Sequence, residues 1–459
     1  MVPANRGETP EPPAAPRIPW RPQGLAAFGA RLAAPRASVR PTAVVCYTFP
    51  APAVPSRAPM AEPLQKIIAS RYAGRNVPVA LVLPDGGRVA LSESADVEVV
   101  ARTWQGLKAL ARPAMGALAR AYVRNDIDFS GSARRVLDVA ETLVGDVAHG
   151  HDSLTARVRL WRHQMRSNRA NIQHHYDVSN TFYRLWLDER MVYSCAYFER
   201  DDATLDAAQL AKLDHICRKL RLAPGERFLD IGCGWGALIL RAAEAFGVRA
   251  TGITLSRNQF EHVKARIAAL GLEGRVDVRL QDYLDLPEDE LYDKIASVGM
   301  FEHVGLARFA KYFGKIRRVL APGGFVLNHG ITHNALHGQS LGSGIGEFVE
   351  EYVFPGGELT HVHRVIESMA AAGLEVVDAE ALREHYARTL WHWTERLEAN
   401  AEAARREAGE ERFRVWRIYL AGSAHAFDRG WLSLWQVLAG KPLPGGGLPH
   451  PLTRRYMYP

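Results

Sequence analysis

The sequence predicts an α/β protein in two folded parts: a large sheet-and-helix domain over residues 171–440, behind a small N-terminal α/β domain over 61–150. Three observations predict it. From about residue 205, apolar strand-like runs alternate with helical patterns, as a parallel sheet requires. A glycine-rich turn at 232–236 sits where one such run ends and a helix begins. Nearer the N-terminus, two apolar runs flank Pro84-Asp85-Gly86-Gly87, the pattern of a hairpin.

Composition bounds the remaining choices. The chain has 459 residues, 47% hydrophobic and 23% charged, ordinary for a globular protein of two or three domains. Residues 1–60 hold seven Arg against Glu8 and Glu11, so most of the formal +7 belongs to that segment, and residues 61–459 carry 50 basic and 48 acidic groups. A nucleic-acid-binding domain would carry its own basic face, so nucleic acid is not an expected partner. A modest attraction to anionic lipid headgroups remains compatible. The same segment holds 13 of the 26 prolines and is expected to be a disordered or mis-called extension, with Met60 as the start. An Arg-rich transit peptide is the alternative. Four cysteines without a CxxC pair argue against a disulfide framework and for a cytoplasmic location. No run of 18 or more apolar residues occurs, so no spanning helix is expected.

In chain order, 79–83 and 88–91 read as the two hairpin strands, followed by helices at about 97–122 and 132–147. Residues 151–170 are rich in Arg and His and read as a linker helix, either solvated or facing lipid headgroups. A helix covers about 205–220, a first strand 227–231 and a helix 236–246. A second strand at 249–253, a helix at 256–270 and strands at 275–280, 294–298 and 324–329 follow. The stretch 333–395 mixes Phe, Tyr and Trp into helices and is expected to form lid insertions over an apolar pocket. The tail, 441–459, contains Gly445-Gly446-Gly447 and is expected to be flexible.

The turn Leu229-Asp230-Ile231-Gly232-Cys233-Gly234-Trp235-Gly236 has GxGxG spacing, not the GxGxxG of dinucleotide binders. A nicotinamide enzyme is also expected to place an acid about twenty residues on. Here the second strand runs into Thr254-Leu255-Ser256, with Asn258 and Gln259 nearby. The loop therefore points to S-adenosylmethionine, and Asp282 with Tyr283 after the third strand suits an adenine amino group and ring. The structural alternative is a merely tight strand–helix turn.

Further motifs surround this core: Gln173-His174-His175-Tyr176-Asp177-Val178-Ser179-Asn180, Phe182-Tyr183-Arg184-Leu185-Trp186-Leu187-Asp188, and Tyr193-Ser194-Cys195-Ala196-Tyr197-Phe198. Gly299-Met300-Phe301-Glu302-His303-Val304-Gly305, His329-Gly330-Ile331 and His385-Tyr386-Ala387-Arg388-Thr389-Leu390 follow. The joint pattern HYDxSNxFYxxWLD, YSCAYF, LDIGCGWG, TLSxNQ, GMFEHVG and HYARTL resembles the cyclopropane-fatty-acyl-phospholipid synthase and mycolic acid cyclopropane synthase family over about 170–440, with a fainter match at 70–150.

The resemblance implies a class I methyltransferase Rossmann-like sheet with helical lids. It implies transfer of a methylene from S-adenosylmethionine to the cis double bond of an unsaturated phospholipid acyl chain. It also implies bicarbonate as base, with Cys195, Glu302, His329, Ile331 and Tyr386 around it. Neutral donors such as Tyr386 and the Ile331 amide hold the anion, and Glu302 accepts its hydroxyl hydrogen. The implied cofactor contacts are Tyr193, Ser194, Asp230, Gly232, Gly234, Gly236, Thr254, Leu255, Ser256, Gln259, Asp282 and Tyr283. The implied partners are membrane phospholipid acyl chains, met peripherally at the inner face of the membrane; a homodimer is left open. One departure is Ser423, where many family members carry Cys in a Tyr-Leu-x-x-Cys-Ala segment. Either that thiol is dispensable, as a mechanism without a protein nucleophile implies, or the chain is impaired; the first is expected.

Plainer readings stand beside these. Cys195 alone reads as a buried small hydrophobe, and Glu302-His303 as a strand-end pair. The aromatics Phe182, Tyr183, Trp186, Trp391 and Trp393 read as core, with one or two lining an acyl pocket. His174-His175 and His361-x-His363 lack the i, i+4 helical spacing of a metal pair, so no metal is expected. The competing functions are a methyl-branching fatty acid methyltransferase, a small-molecule N-methyltransferase of the same fold, and a non-catalytic lipid binder.

Overall fold

The computed structural model describes residues 67–68, 70, 77–92, 95, 97–145, 179–336, 343–353 and 358–458, all within one compact unit, Val54–Pro459. The proposed extension, the 151–170 linker and the Gln173–Val178 part of the upstream motif lie outside the described residues.

The small domain is a four-stranded sheet in the order β2-β1-β3-β4. β1 (Val79–Val82) and β2 (Arg88–Ala90) form the expected antiparallel hairpin. The helix expected from residue 97 is instead a strand, β3 (Val97–Ala101), parallel to β1. Val97, Val99 and Ala101 are buried while Glu98 and Val100 are half-exposed, a period of two that outweighs helical propensity. Two short helices follow, α1 (Trp104–Ala111) and α2 (Met115–Val123), broken at Pro113. β4 (Ile127–Phe129) was not expected. α3 (Ala133–Val144) starts at a Ser132 cap and stops at Gly145.

The large domain begins with α4 (Asn180–Arg184), capped by Ser179, and α5 (Leu205–Leu220), capped by Thr204. Then β5 (Arg227–Ile231), α6 (Ala237–Phe246), β6 (Arg249–Thr254), α7 (Arg257–Ala269) and β7 (Val276–Leu280) alternate as expected. β8 (Tyr292–Val298), α8 (Phe309–Val319) and β9 (Leu320–His333) complete the parallel portion. The remaining elements are α9 (Ile345–Tyr352), α10 (Val362–Ala371), β10 (Glu375–Ala381), α11 (Arg383–Ala399), α12 (Ala401–Ala408), α13 (Glu410–Asp428) and β11 (Leu432–Gly440).

The seven strands run in the order β10-β11-β9-β8-β5-β6-β7, parallel from β9 to β7, with β11 antiparallel to both β9 and β10. Both faces are covered. Phe228 joins a cluster with Ile216, Ile239 and Val263, while its neighbour Leu229 joins the opposite one with Phe313, Ile316 and Val365. Strand order reverses between β5 and β8, and the crevice at the carboxyl ends of such strands is where open α/β sheets bind ligands.

Two expectations are corrected. The stretch 333–395 is not all lid helix: β10 lies inside it and joins the main sheet, paired by β11. The C-terminal tail, expected to be loose, folds back: Met457 is fully buried, and Arg454 reaches Asp378 at 2.5 Å. Several polar contacts fasten the two domains, among them Arg417 to the Tyr122 hydroxyl and the Gly131 carbonyl, both at 3.0 Å, and, most buried, Arg414 on α13. Its guanidinium meets Asp128 at 2.9 Å, Glu410 at 2.6 Å and the Tyr122 carbonyl at 2.9 Å. Among the described residues no helix is long and apolar enough to cross a membrane.

Candidate active site

A cavity of about 370 Å³ opens at the carboxyl ends of β5, β6 and β8, within the range of small-molecule sites. Its floor is the glycine turn. Gly234 has φ 54° with open space where a Cβ would stand, so backbone faces the cavity directly. Gly236 opens α6 at φ 86°, and a Cβ there would lie 2.9 Å from Val263. The Gly232 and Cys233 amides both donate to the Ile253 carbonyl at 3.0 Å, tying the turn to β6.

Ten of the twelve predicted cofactor residues line this cavity: Tyr193, Ser194, Asp230, Gly232, Gly234, Thr254, Leu255, Gln259, Asp282 and Tyr283. Gly236 and Ser256 do not. Gly236 shapes the turn, and the Ser256 hydroxyl caps α7 by accepting from the Gln259 amide. The Thr254 hydroxyl donates to Gln259 Oε1 at 2.8 Å, which orients the amide. Asp282 accepts from the Leu284 amide at 3.0 Å. Asp230 is buried, its Oδ1 has no hydrogen-bond partner among the described residues, and burial lifts its carboxyl to about 7.

Ser179 and Asn180, the described end of the upstream motif, reach the same turn. Ser179 caps α4, and Asn180 Oδ1 accepts from Trp235 Nε1 at 2.8 Å and from Asn258 Nδ2 at 3.0 Å. Phe182, Tyr183, Trp186 and Trp393 are fully buried in one aromatic cluster. Tyr193 joins it, 5.4 Å from Trp393 centroid to centroid, so the cluster forms the wall behind the cavity.

None of the five residues expected to act in catalysis is on the lining of this cavity; backbone pairing links the segments that carry them. Glu302 sits on a short turn after β8, and its Oε1 accepts from the Ile331 amide at 2.7 Å. Ile331 opposes Leu434 in the β9–β11 register, the Leu434 carbonyl accepts from the Leu382 amide, and the Leu382 carbonyl accepts from the Tyr386 amide. Cys195 Sγ lies 3.9 Å from that same Leu382 carbonyl. His329 is two residues before Ile331, with Nδ1 3.2 Å from Gln436 Nε2. Tyr386 packs on Phe427 at 4.8 Å.

One expected role is corrected. The Ile331 amide is not free to hold an anion, because it is engaged by Glu302. Glu302 Oε2 and His329 Nε2, in contrast, are buried without a partner among the described residues. Burial raises the Glu302 carboxyl to about 7 and holds the His329 imidazole well below its ordinary value, hence neutral. Burial also pushes the Cys195 thiol up, so it is a neutral group rather than a thiolate nucleophile. Ser423, at the departure from the family pattern, hydrogen-bonds the Tyr419 hydroxyl, which also bonds Tyr193.

Sequence reasoning missed three participants. Lys212 lines the cavity although it lies on a helix, where a lysine ordinarily reads as solvated. Met300 and His303 line it too; their place in the GMFEHVG motif was the available signal.

The comparisons agree with this geometry. A family model described as mycolic acid cyclopropane synthetase matches residues 163–437. A probable fatty acid methyltransferase of Pseudomonas putida is 44% identical over 383 residues, covering 83% of this chain and 97% of that protein. The cyclopropane synthase MmaA2 from Mycobacterium tuberculosis superposes with a TM-score of 0.58 at 36% identity, over 60% of this chain and 99% of its own. The mycolic acid cyclopropane synthase CmaA1, complexed with SAH and CTAB, gives 0.57 at 38% identity, over 61% of this chain and all of its own. A class I methyltransferase sheet, a cavity built on its glycine turn and a family match over more than half its length together show that the chain belongs to the mycolic acid cyclopropane synthetase family of S-adenosylmethionine-dependent methyltransferases.

Proposed function

We propose that the chain closes a cyclopropane ring on the cis double bond of an unsaturated acyl chain carried by a membrane phospholipid. The observation that carries this reading is the pair of buried atoms without a partner among the described residues, Glu302 Oε2, on the turn whose Met300 and His303 line the cavity, and His329 Nε2, on β9 two residues from the Ile331 amide that Glu302 engages. When bound, S-adenosylmethionine supplies an electrophilic methyl on a sulfonium. An alkene is a weak nucleophile, and its attack leaves a cationic centre that water would capture, so the site must be dry. Ring closure then needs a base near the transferred methyl. Bicarbonate fits the donor set: Tyr386 and the neutral His329 would hold it and Glu302 would accept its hydroxyl hydrogen, with Cys195 as a neutral neighbour. Burial of all four supports exclusion of water. Tyr193, on the cavity lining, supplies an aromatic face suited to a passing cation.

CmaA1 holds CTAB, a molecule with a long alkyl chain, which supports an acyl substrate here. A second reading is methyl branching, in which the base takes a proton from the acyl chain rather than from the transferred methyl and leaves a methyl-branched alkene; the similarity to a probable fatty acid methyltransferase favours it. Either substrate is reached from a bilayer surface, by peripheral contact. The test incubates the purified protein and S-adenosylmethionine with vesicles of monounsaturated phospholipid. Gain of the mass of one methylene with loss of the olefin supports ring formation. A methyl-branched product moves the reading to the second, and unaltered lipid contradicts both.

A further inference from the structure

The cavity has a buried cation that no part of the reaction above uses. Lys212, on α5, is only 2% exposed, and it lines the same wall as Ser194 and Asp230. A buried ammonium is strongly disfavoured unless its charge is balanced and its hydrogens are bonded. Among the described residues its hydrogen bond goes to Ser194 Oγ, at 2.9 Å. An ammonium has three donors, so one bond leaves capacity unused. Opposing charge comes from Asp188 and Asp230. Asp188 is committed elsewhere, since Oδ1 accepts from the Val192 amide at 2.7 Å and Oδ2 from the Arg190 amide at 3.1 Å. Asp230 Oδ1 has no partner among the described residues.

One wall of the cavity therefore presents a cation and a carboxylate, both buried and both with bonding capacity to spare. The other cations on the lining, Arg308 and Lys311, are exposed and belong to its mouth. Adjacent opposite charges fit a zwitterion, and S-adenosylmethionine has one at its amino-acid end. We propose that Lys212 holds the α-carboxylate of S-adenosylmethionine, with Asp230 turned to its α-ammonium and Ser194 fixing the lysine side chain. The lone protein groups are poorly balanced, since burial depresses the Lys212 ammonium to about 8 and lifts Asp230 to about 7. A bound zwitterion restores a partner to each. Lys212 is then a cofactor-binding residue, independent of which acyl chain the enzyme accepts.

The experiment compares two ligands on the full chain by titration calorimetry. S-adenosylhomocysteine keeps the amino-acid end, and 5′-methylthioadenosine lacks it while keeping the nucleoside and sulfur. Lys212→Met is expected to weaken S-adenosylhomocysteine roughly 10- to 100-fold, the range for a lost charged hydrogen bond, and to leave 5′-methylthioadenosine unchanged. Retained 5′-methylthioadenosine binding also reports an intact fold. Equal losses on both ligands would assign Lys212 to shaping the pocket and overturn the proposal, as would no loss on either. If the Met variant does not fold, Lys212→Gln is measured in the same way, with the same two outcomes deciding.

Discussion

Replacing Glu302 by Gln is expected to stabilise the protein while abolishing its chemistry, and the stabilisation should depend on pH in a defined direction. Glu302 is buried, and its carboxyl rises from an ordinary 4.5 to about 7. That difference corresponds to about 3 kcal/mol between the protonated and ionised forms. In the unfolded chain the carboxyl ionises near its ordinary value, whereas in the folded protein it stays protonated until about 7. Between these values the native state binds the extra proton, so stability falls as pH rises from about 4.5 to about 7 and then levels off. Gln keeps an oxygen for the Ile331 amide and has no charge to bury. Wild type and Glu302→Gln should therefore be similar in stability near pH 4.5, and the variant should lead by up to about 3 kcal/mol at pH 8. Urea unfolding followed by tryptophan fluorescence at several pH values measures the difference. A gap that is constant across that range would refute the assignment of a raised carboxyl to Glu302. Lipid turnover by the same variant should be lost at every pH.

Three other perturbations follow from the geometry. Gly330→Ala would place a Cβ 1.9 Å from Phe301 Cε1 and 2.9 Å from Glu302 Oε1, so Glu302 must move. Turnover should fall roughly 100-fold, the scale for an ångström of misplacement, with S-adenosylhomocysteine affinity little changed; normal turnover would show that the carboxylate's place is unimportant. Arg414→Met removes the buried guanidinium that meets Asp128 and the Tyr122 carbonyl, and should cost about 3 kcal/mol in denaturant unfolding, against no change if the two domains are fastened elsewhere. Cys195, Cys217 and Cys233 are buried with thiols raised by burial, so iodoacetamide at pH 8 should leave all three unlabelled in the folded protein. Site-by-site peptide mass spectrometry reads this, and rapid labelling of Cys195 would contradict a neutral, dry site.

Much of the sheet was readable because its central strands are buried on both faces and are therefore continuous apolar runs between glycine or polar turns. The runs at β5, β6 and β8 show this. β3 failed because Val-Glu-Val-Val-Ala is short and leads into a helix, and only tertiary pairing with β1 shows the period of two. β10 and β11 failed for a different reason. They are separated by 50 residues of helix, so no local pattern tells that Glu380 will oppose Gln436 and that Gln436 will oppose His329. The glycine turn was legible from spacing, because backbone conformation at Gly234 and Gly236 is a local property. Lys212 was not, because burial of a helical lysine is decided by what lies across the cavity. The Glu302–Ile331 bond was likewise hidden, since it depends on how the turn after β8 meets β9.

Deuterium in the transferred group separates the remaining possibilities. With S-adenosylmethionine carrying a fully deuterated methyl, and monounsaturated phospholipid vesicles as acceptor, a base beside the reacting carbon removes one label. The modified acyl chain should then retain two of the three deuterium atoms. Retention of all three would mean that no proton leaves the transferred carbon, and the roles given to Glu302 and His329 would be wrong.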